Sequence, residues 1–360
     1  MSKLREQGVR AVNQDFNRFE QVRKRQRYRL AEQQGGEAFD DDYVIETCDM
    51  SALLAGEPGA ETAFAHRLGS ALEDIGFAIL VGHGVDPAVQ QHATRRCRAL
   101  FEGIPEAGRQ PYLARRVGSI NQGYFPLKQT TLIHPDLVEG WVFCRRAFNL
   151  AGDPAFEASA SWPQADYELD FRPLVQAQER LILPIMQSLL RYLGCDPHSY
   201  DQRLTGTNFG LRLNYYPPLR QADRESGAGR MLGHEDVDLF TFLPAPEVDG
   251  LQVLNRRNMK WIRLQAPPGS IVLNTGDYMQ RISNDRLPST THRVALPVDR
   301  ALHREARVSL PMAIYLWEHE MLEVLPGTGE PRYPPISAIR FHTAITSKYY
   351  GDDYAVGEGE

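Results

Sequence analysis

The sequence predicts a mainly β protein, an antiparallel double-sheet jelly roll flanked by helices, and three observations carry that expectation. After Thr207 the chain passes through short stretches rich in β-branched and aromatic residues: NFGLRLNYY, DLFTFLP, GLQVLN, KWIRLQ, SIVLNTG, TTHRVALP and ARVSLPMAIYLW. Turn clusters such as PAPEVDG, NRRNM, APPG and SNDRLP separate them at the short, even spacing of a jelly roll. Before Thr207 the pattern is different, with helical periods interleaved with a few buried strands.

Taken in order, residues 3–34 carry Val9, Val12, Phe16, Phe19 and Val22 at roughly helical spacing, which reads as an amphipathic leader helix before the QQGGEAFDDD break. Its cluster from Arg23 to Arg27 is read as a solvated helix face. YVIETCDMSALL reads as a short strand and turn, ETAFAHRLGSALEDIG as a helix, and FAILVGHGVD as a buried strand closed by a glycine turn. DPAVQQHATRRCRALFEGIP has Asp86 placed to cap a helix with Pro87 in its first position. DYELDFRPLVQAQERLILPIMQSLLRYLG predicts a long helix ended by Gly194 and kinked at Pro184. The tail, PRYPPISAIRFHTAITSKYYG, is expected to return as a helix over the core. The expected organisation is therefore a helical leader and linker over 1–42, a mixed α/β region over 43–204, the jelly-roll core over 205–320 and a helical extension over 321–360.

With 360 residues and ample apolar content, the chain can bury a substantial core. A net charge of −6 argues against general nucleic-acid binding, which needs a basic surface, and favours small-molecule chemistry. Cys48, Cys97, Cys144 and Cys195 form no CxxC pair, so neither a disulfide framework nor a thiolate zinc site is indicated. The charged N-terminus is unlike a signal peptide and no stretch is apolar enough to span a bilayer, so a cytoplasmic protein is expected. Oligomeric state is not legible.

The chemistry concentrates in two segments. In MLGHEDVDLFTF, read as a strand, His234 and Asp236 are two apart and share a face, about 6–7 Å apart at the backbone. An antiparallel fold can bring His292, in PSTTHRVAL, beside them. Two imidazoles and a carboxylate on one side of a metal, with other positions open, is the arrangement of non-haem Fe(II) oxygenases. Asp238 shares the face of Asp236 and is the rival carboxylate, whereas Glu235 should point away. Arg307 and Ser309 share a strand face as well; a guanidinium grips a carboxylate in a planar, paired way and a neighbouring hydroxyl adds a hydrogen bond, which implies an acidic cosubstrate. Asn214 and Tyr216 in RLNYYPP repeat that spacing, with Arg212 on the same face.

The order of motifs, from RLNYYPP through GHEDVDLFTFL, GLQVL, KWI, PGSIVLNTGDYMQRISNDRLPSTTHRV and ARVSL, resembles the isopenicillin N synthase-like branch of the Fe(II)/2-oxoglutarate-dependent dioxygenases. DIGFAILVGHGVD agrees with that branch too, although Gly82 replaces the usual asparagine, and the loop ALPVDRALHREA is longer than is usual. The resemblance covers roughly residues 43–345. It implies a double-stranded β-helix, a distorted jelly roll, with Fe(II) held by His234, Asp236 and His292. It further implies 2-oxoglutarate held by Arg307, Ser309 and Tyr216, with Asn214 beside them, and O2 as the second cosubstrate. The implied reaction oxidises a small or medium-sized organic substrate, most simply by hydroxylation, with decarboxylation of 2-oxoglutarate to succinate and CO2. Asp236 argues against halogenation, because halogenating relatives lack that carboxylate. Substrate contacts are expected from Asn121, Tyr124 and Phe125 by family position, and from Arg212. Counting by twos from Arg307 adds Pro311, Ala313, Tyr315 and Trp317, with small Ala313 making room near the metal. Pro311 threatens that alternation.

Two other readings stay open on the sequence: an oxidase of the isopenicillin N synthase type that does not use 2-oxoglutarate, and a non-catalytic jelly-roll binding protein. His83 is expected to be a structural turn residue, and His319, between two glutamates, to be exposed.

Overall fold

The computed structural model describes residues 38–127, 136–225, 228–350 and Val356; the leader expected over 3–34 lies outside them. Two sheets face each other, as the strand pattern predicted, and all their pairings are antiparallel except that of Thr47–Asp49 with Phe77–Val81, which is parallel. The larger runs β1 (Thr47–Asp49), β2 (Phe77–Val81), β11 (Ile271–Thr275), β8 (Phe240–Pro244), β14 (Met312–Ile314), β6 (Phe209–Tyr216), β5 (Glu139–Cys144), β4 (Ile120–Phe125) and β3 (Arg115–Val117), with β13 (Arg307–Ser309) also paired to β6. The smaller runs β10 (Lys260–Arg263), β9 (Leu251–Asn255), β12 (His292–Val294) and β7 (Met231–His234). The three strands from 115 to 144 were not read from the sequence; they extend the large sheet on the β6 side.

Period-2 alternation divides the large sheet into two faces. Phe209, Leu211, Leu213 and Tyr215 of β6, with Phe240 and Phe242 of β8 and Ile271 and Leu273 of β11, join a core shared with the helices Ala60–Ile75, Pro87–Gly103 and Ala165–Tyr192. The intervening residues face the small sheet. Phe77, Ile79, Leu243 and Val272 pack there against Leu251, Val253 and Ile262, while Arg212, Asn214, Tyr216, Thr241 and Asn274 border a cavity. The helices thus support the large sheet from behind and leave its polar stripe facing inward.

Local signals act as read. Asp86 accepts a hydrogen bond from the Ala88 N–H, with Pro87 opening the helix. The long helix runs through both Pro173 and Pro184, and Gly194 follows its end at φ +78°. The tail forms the helix Ala338–Tyr350, whose His342 and Thr346 reach the cavity. Among the described residues no helix is long and apolar enough to cross a membrane.

One expectation is corrected. MLGHEDVDLFTF is not one strand: β7 ends at His234 in the small sheet and β8 begins at Phe240 in the large one. The crossing is fixed by a short helix, Asp277–Ile282, whose first N–H groups close on it: Asp277 N–H donates to the Asp236 carbonyl at 2.8 Å and Tyr278 N–H to the Asp238 carbonyl at 3.0 Å. The same helix explains why Gly276 is a glycine. A Cβ there would collide with Asp238 Oδ1 and lie 2.6 and 2.7 Å from the carbonyl oxygens of Asp238 and Asp236.

Candidate active site

Antiparallel pairing of β12 with β7 places His292 directly opposite His234, and the crossing brings Asp236 to the same point. One donor atom from each of the three lies within 4.8 Å of the others; His234 Nε2 is 3.7 Å from Asp236 Oδ1 and His292 Nε2 is 3.8 Å from Asp236 Oδ2. Backbone carbonyls orient both rings. His234 Nδ1 lies 2.8 Å from the Leu232 carbonyl oxygen and His292 Nδ1 lies 3.1 Å from that of Thr290. A carbonyl can only accept, so each Nδ1 carries the proton and each Nε2 turns a lone pair toward the carboxylate. Burial, and then the neighbouring His292, hold His234 down to about 4, with Arg212 adding to the effect. The ring is therefore neutral at physiological pH, the form that binds a metal. Asn274 donates to Asp236 Oδ2 at 2.8 Å, and Thr241 Oγ1 lies 3.1 Å from the same oxygen. Burial raises the Asp236 carboxyl, but the two histidines and these hydrogen bonds outweigh it and leave the pKa below the usual range.

The rival carboxylate is resolved by position. Asp238 does not join the cluster; it is fully buried and meets Thr241 Oγ1. Burial and the charge of Asp236 hold it well above the usual carboxylate range.

A second polar group lies on the same cavity. Arg307 pairs with Tyr216, and Ser309 with Asn214, across β13 and β6. The Arg307 guanidinium is 1% exposed, packs 4.9 Å from the Tyr216 ring centroid and donates Nε–H to the Val248 carbonyl at 2.9 Å. Its Nη1 has no hydrogen-bond partner. A buried cation with a donor left over is costly, so the group is built for an anion. The chemistry fits a carboxylate, and beside a two-histidine, one-carboxylate cluster it fits a keto acid that chelates the metal at its other end.

The cavity joining these groups, about 240 Å³, is lined by every residue named in the sequence as a ligand, cosubstrate or substrate contact except Tyr124 and Trp317. Alternation from Arg307 survives the break at Pro311, so Arg307, Ser309, Pro311, Ala313 and Tyr315 all face inward. Tyr124 is a correction. It is 1% exposed on the opposite face of β4, hydrogen-bonded to Glu139 at 2.7 Å and packed on Trp141; its neighbour Phe125 takes the inward face because adjacent strand residues alternate. His83 is structural, bonded to the Gly269 carbonyl and to the Val85 N–H, and His319 is exposed. Sequence reasoning missed Asn274, Thr241, His342 and Thr346. The strand alternation in SIVLNTG and FTFLP carried a signal for the first two, and the i, i+4 pair in the tail helix one for the others.

Comparison with known proteins agrees with this geometry. Residues 207–314 match the 2OG-Fe(II) oxygenase superfamily, and residues 45–165 match the family described as the N-terminal region of non-haem dioxygenases in morphine synthesis. The 2-oxoglutarate-dependent dioxygenase 11 of Oryza sativa subsp. japonica is 26% identical over 316 residues, covering 85% of this chain and 82% of that protein. The 2-oxoglutarate-dependent dioxygenase citB of Monascus ruber is 29% identical over 273 residues, covering 70% and 80%. A crystal structure assigned to the 2OG-Fe(II) oxygenase family, from Caulobacter crescentus, superposes with a TM-score of 0.69 at 27% identity over 83% of this chain and 96% of that one. The chain belongs to the 2-oxoglutarate and Fe(II)-dependent oxygenase superfamily. It is an oxidoreductase of the Fe(II)/2-oxoglutarate-dependent dioxygenase class, and neither the keto-acid-independent oxidase nor the non-catalytic reading is favoured.

Proposed function

We propose that the chain oxidises a small or medium-sized organic molecule, most simply by hydroxylation, with Fe(II) held by His234, Asp236 and His292 and 2-oxoglutarate held by Arg307, Ser309 and Tyr216. The observation that carries this reading is the buried Arg307 guanidinium, with one donor unpartnered, on the same cavity as the His–Asp–His cluster. When bound, the ion and the keto acid supply O2 reduction coupled to decarboxylation of 2-oxoglutarate to succinate and CO2, with oxidation of a substrate C–H bond.

The chain's own contribution is placement and exclusion of water. Leu232 and Thr290 carbonyls fix the two imidazoles in the ligating tautomer, and Asn274 and Thr241 fix the carboxylate. Arg307 supplies a positive charge that a distal carboxylate can meet without desolvating water, because burial has already removed it. Asn214 Nδ2 lies 3.4 Å from Ser309 Oγ and its Oδ1 accepts from Arg212, so it orients both neighbours and has a positioning role in this reading. Ile120, Phe125, Val142, Ala313 and Tyr315 form the less polar wall on which a substrate rests.

Succinate release from 2-oxoglutarate tests the proposal, measured with Fe(II) and O2 against a panel of small organic metabolites. Stimulation by at least one metabolite, stoichiometric with an oxidised product, is expected. Substrate-dependent O2 consumption without succinate would refute it.

A further inference from the structure

Arg212 is a second guanidinium on the cavity, distinct from Arg307 in its surroundings. It enters from β6 four residues before Tyr216, about 13 Å away at the backbone. Its Nε donates to Asn214 Oδ1 at 2.7 Å and its Cζ lies 5.1 Å from the Phe125 ring centroid. The space it fills exists because residue 140 is a glycine: a Cβ there would sit 3.0 Å from Arg212 Nη2 and 3.3 Å from its Nε. Nη2 is buried and has no hydrogen-bond partner, and among the described residues no carboxylate forms an ion pair with Arg212. The carboxylates on the same cavity are engaged elsewhere. Asp136 accepts from the Leu232 N–H, Glu235 from Thr291, and Asp236 from Asn274.

A guanidinium that lines a cavity, is stacked on an aromatic ring, is oriented by an amide and keeps an unpartnered donor is arranged to receive an anion. Arg307 already answers the distal carboxylate of the cosubstrate, and it lies further along the same sheet face, against Tyr216 and the Val248 carbonyl. We infer that Arg212 binds a carboxylate on the organic substrate, so that the substrate class is a small carboxylic acid whose apolar body lies along Phe125, Ile120 and Val142. A single cation with no further positive group beside it suits one carboxylate rather than a doubly charged phosphate. The inference rests on the proposed function and narrows it.

The test uses the full chain, loaded anaerobically with Fe(II) and then titrated with 2-oxoglutarate. Matched acid and amide probes follow, read by calorimetry: 3-phenylpropanoate and 3-phenylpropanamide, cinnamate and cinnamamide, hexanoate and hexanamide. In the wild type at least one acid should bind about tenfold or more tightly than its amide. Arg212→Met should bring that acid and its amide within about threefold, and Arg212→Lys should keep part of the preference, because it retains charge without the planar fork. Affinity for 2-oxoglutarate should move far less than the acid preference. Wild-type acids no tighter than their amides would overturn the inference, as would a preference that survives Arg212→Met. So would Arg212→Met weakening 2-oxoglutarate while leaving acid preference intact, which would assign Arg212 to the cosubstrate. Failure of the wild type to bind Fe(II) or 2-oxoglutarate in the first step is a separate result and overturns the proposed function itself.

Discussion

Replacing Arg307 with methionine separates affinity from stability, because the structure gives these two effects different sizes. Methionine keeps an unbranched stem of similar course but removes the charge and all donors. Without an anion, the terms nearly cancel. The variant relieves a buried Nη1 that has no partner, but it orphans the Val248 carbonyl and loses the contact with the Tyr216 ring. Each is worth about 1–3 kcal/mol, so free-protein stability should change by no more than about 2 kcal/mol. With 2-oxoglutarate present, two charge-assisted hydrogen bonds to a carboxylate are lost, at about 1.5–3 kcal/mol each. That corresponds to a fall in affinity of roughly 10²–10⁴-fold. The assay is anaerobic thermal unfolding with Fe(II), with and without 2-oxoglutarate. At a concentration near 100 times the wild-type Kd the keto acid should stabilise the wild type by about 2.7 kcal/mol and the variant hardly at all. A variant that is strongly destabilised alone yet still stabilised by 2-oxoglutarate would refute the reasoning, since Arg307 would then be a packing residue.

Three further outcomes follow from particular contacts. Gly276→Ala should lower stability by about 1–3 kcal/mol and weaken Fe(II) binding in an anaerobic titration, because its Cβ meets the carbonyl oxygens of Asp236 and Asp238; wild-type values for both would contradict that geometry. His342 is buried and held down to about 4, whereas an unfolded histidine titrates near 6.5. The unfolded chain therefore binds more protons between those values, and stability is full above about pH 6.5 and falls by about 3 kcal/mol as pH drops toward 4. Urea unfolding of His342→Asn should show a shallower loss over that window, and an unchanged slope would remove His342 as its source. Ala313→Phe should reduce substrate-coupled turnover by about tenfold or more while Fe(II) binding persists, since the side chain enters the cavity beside the metal cluster; unchanged product formation would mean that the substrate lies elsewhere.

Alternation is a local property, so Arg307, Ser309, Pro311, Ala313 and Tyr315 were placed correctly even across the interruption at Pro311. The crossing at Glu235–Leu239 was not legible, because it depends on the helix Asp277–Ile282, nearly forty residues on, whose N–H groups capture the Asp236 and Asp238 carbonyls. Tyr124 was misplaced because position in a family motif fixes the strand but not which of two adjacent residues faces inward. Asp238 and Asp236 are indistinguishable by spacing; burial and the meeting of Asp236 alone with the two imidazoles separate them. The tail helix was foreseen, but its arrival at the cavity through His342 and Thr346 is a tertiary fact.

In the proposed function, His234, Asp236 and His292 form one ferrous site that 2-oxoglutarate completes. An anaerobic Fe(II) titration of the wild type and of His234→Ala, with 2-oxoglutarate added afterwards, tests it most directly. One ion per wild-type chain, keto-acid binding that depends on that ion, and loss of both in His234→Ala are expected. Equal Fe(II) affinity in the two proteins, or 2-oxoglutarate binding indifferent to the metal, would contradict it.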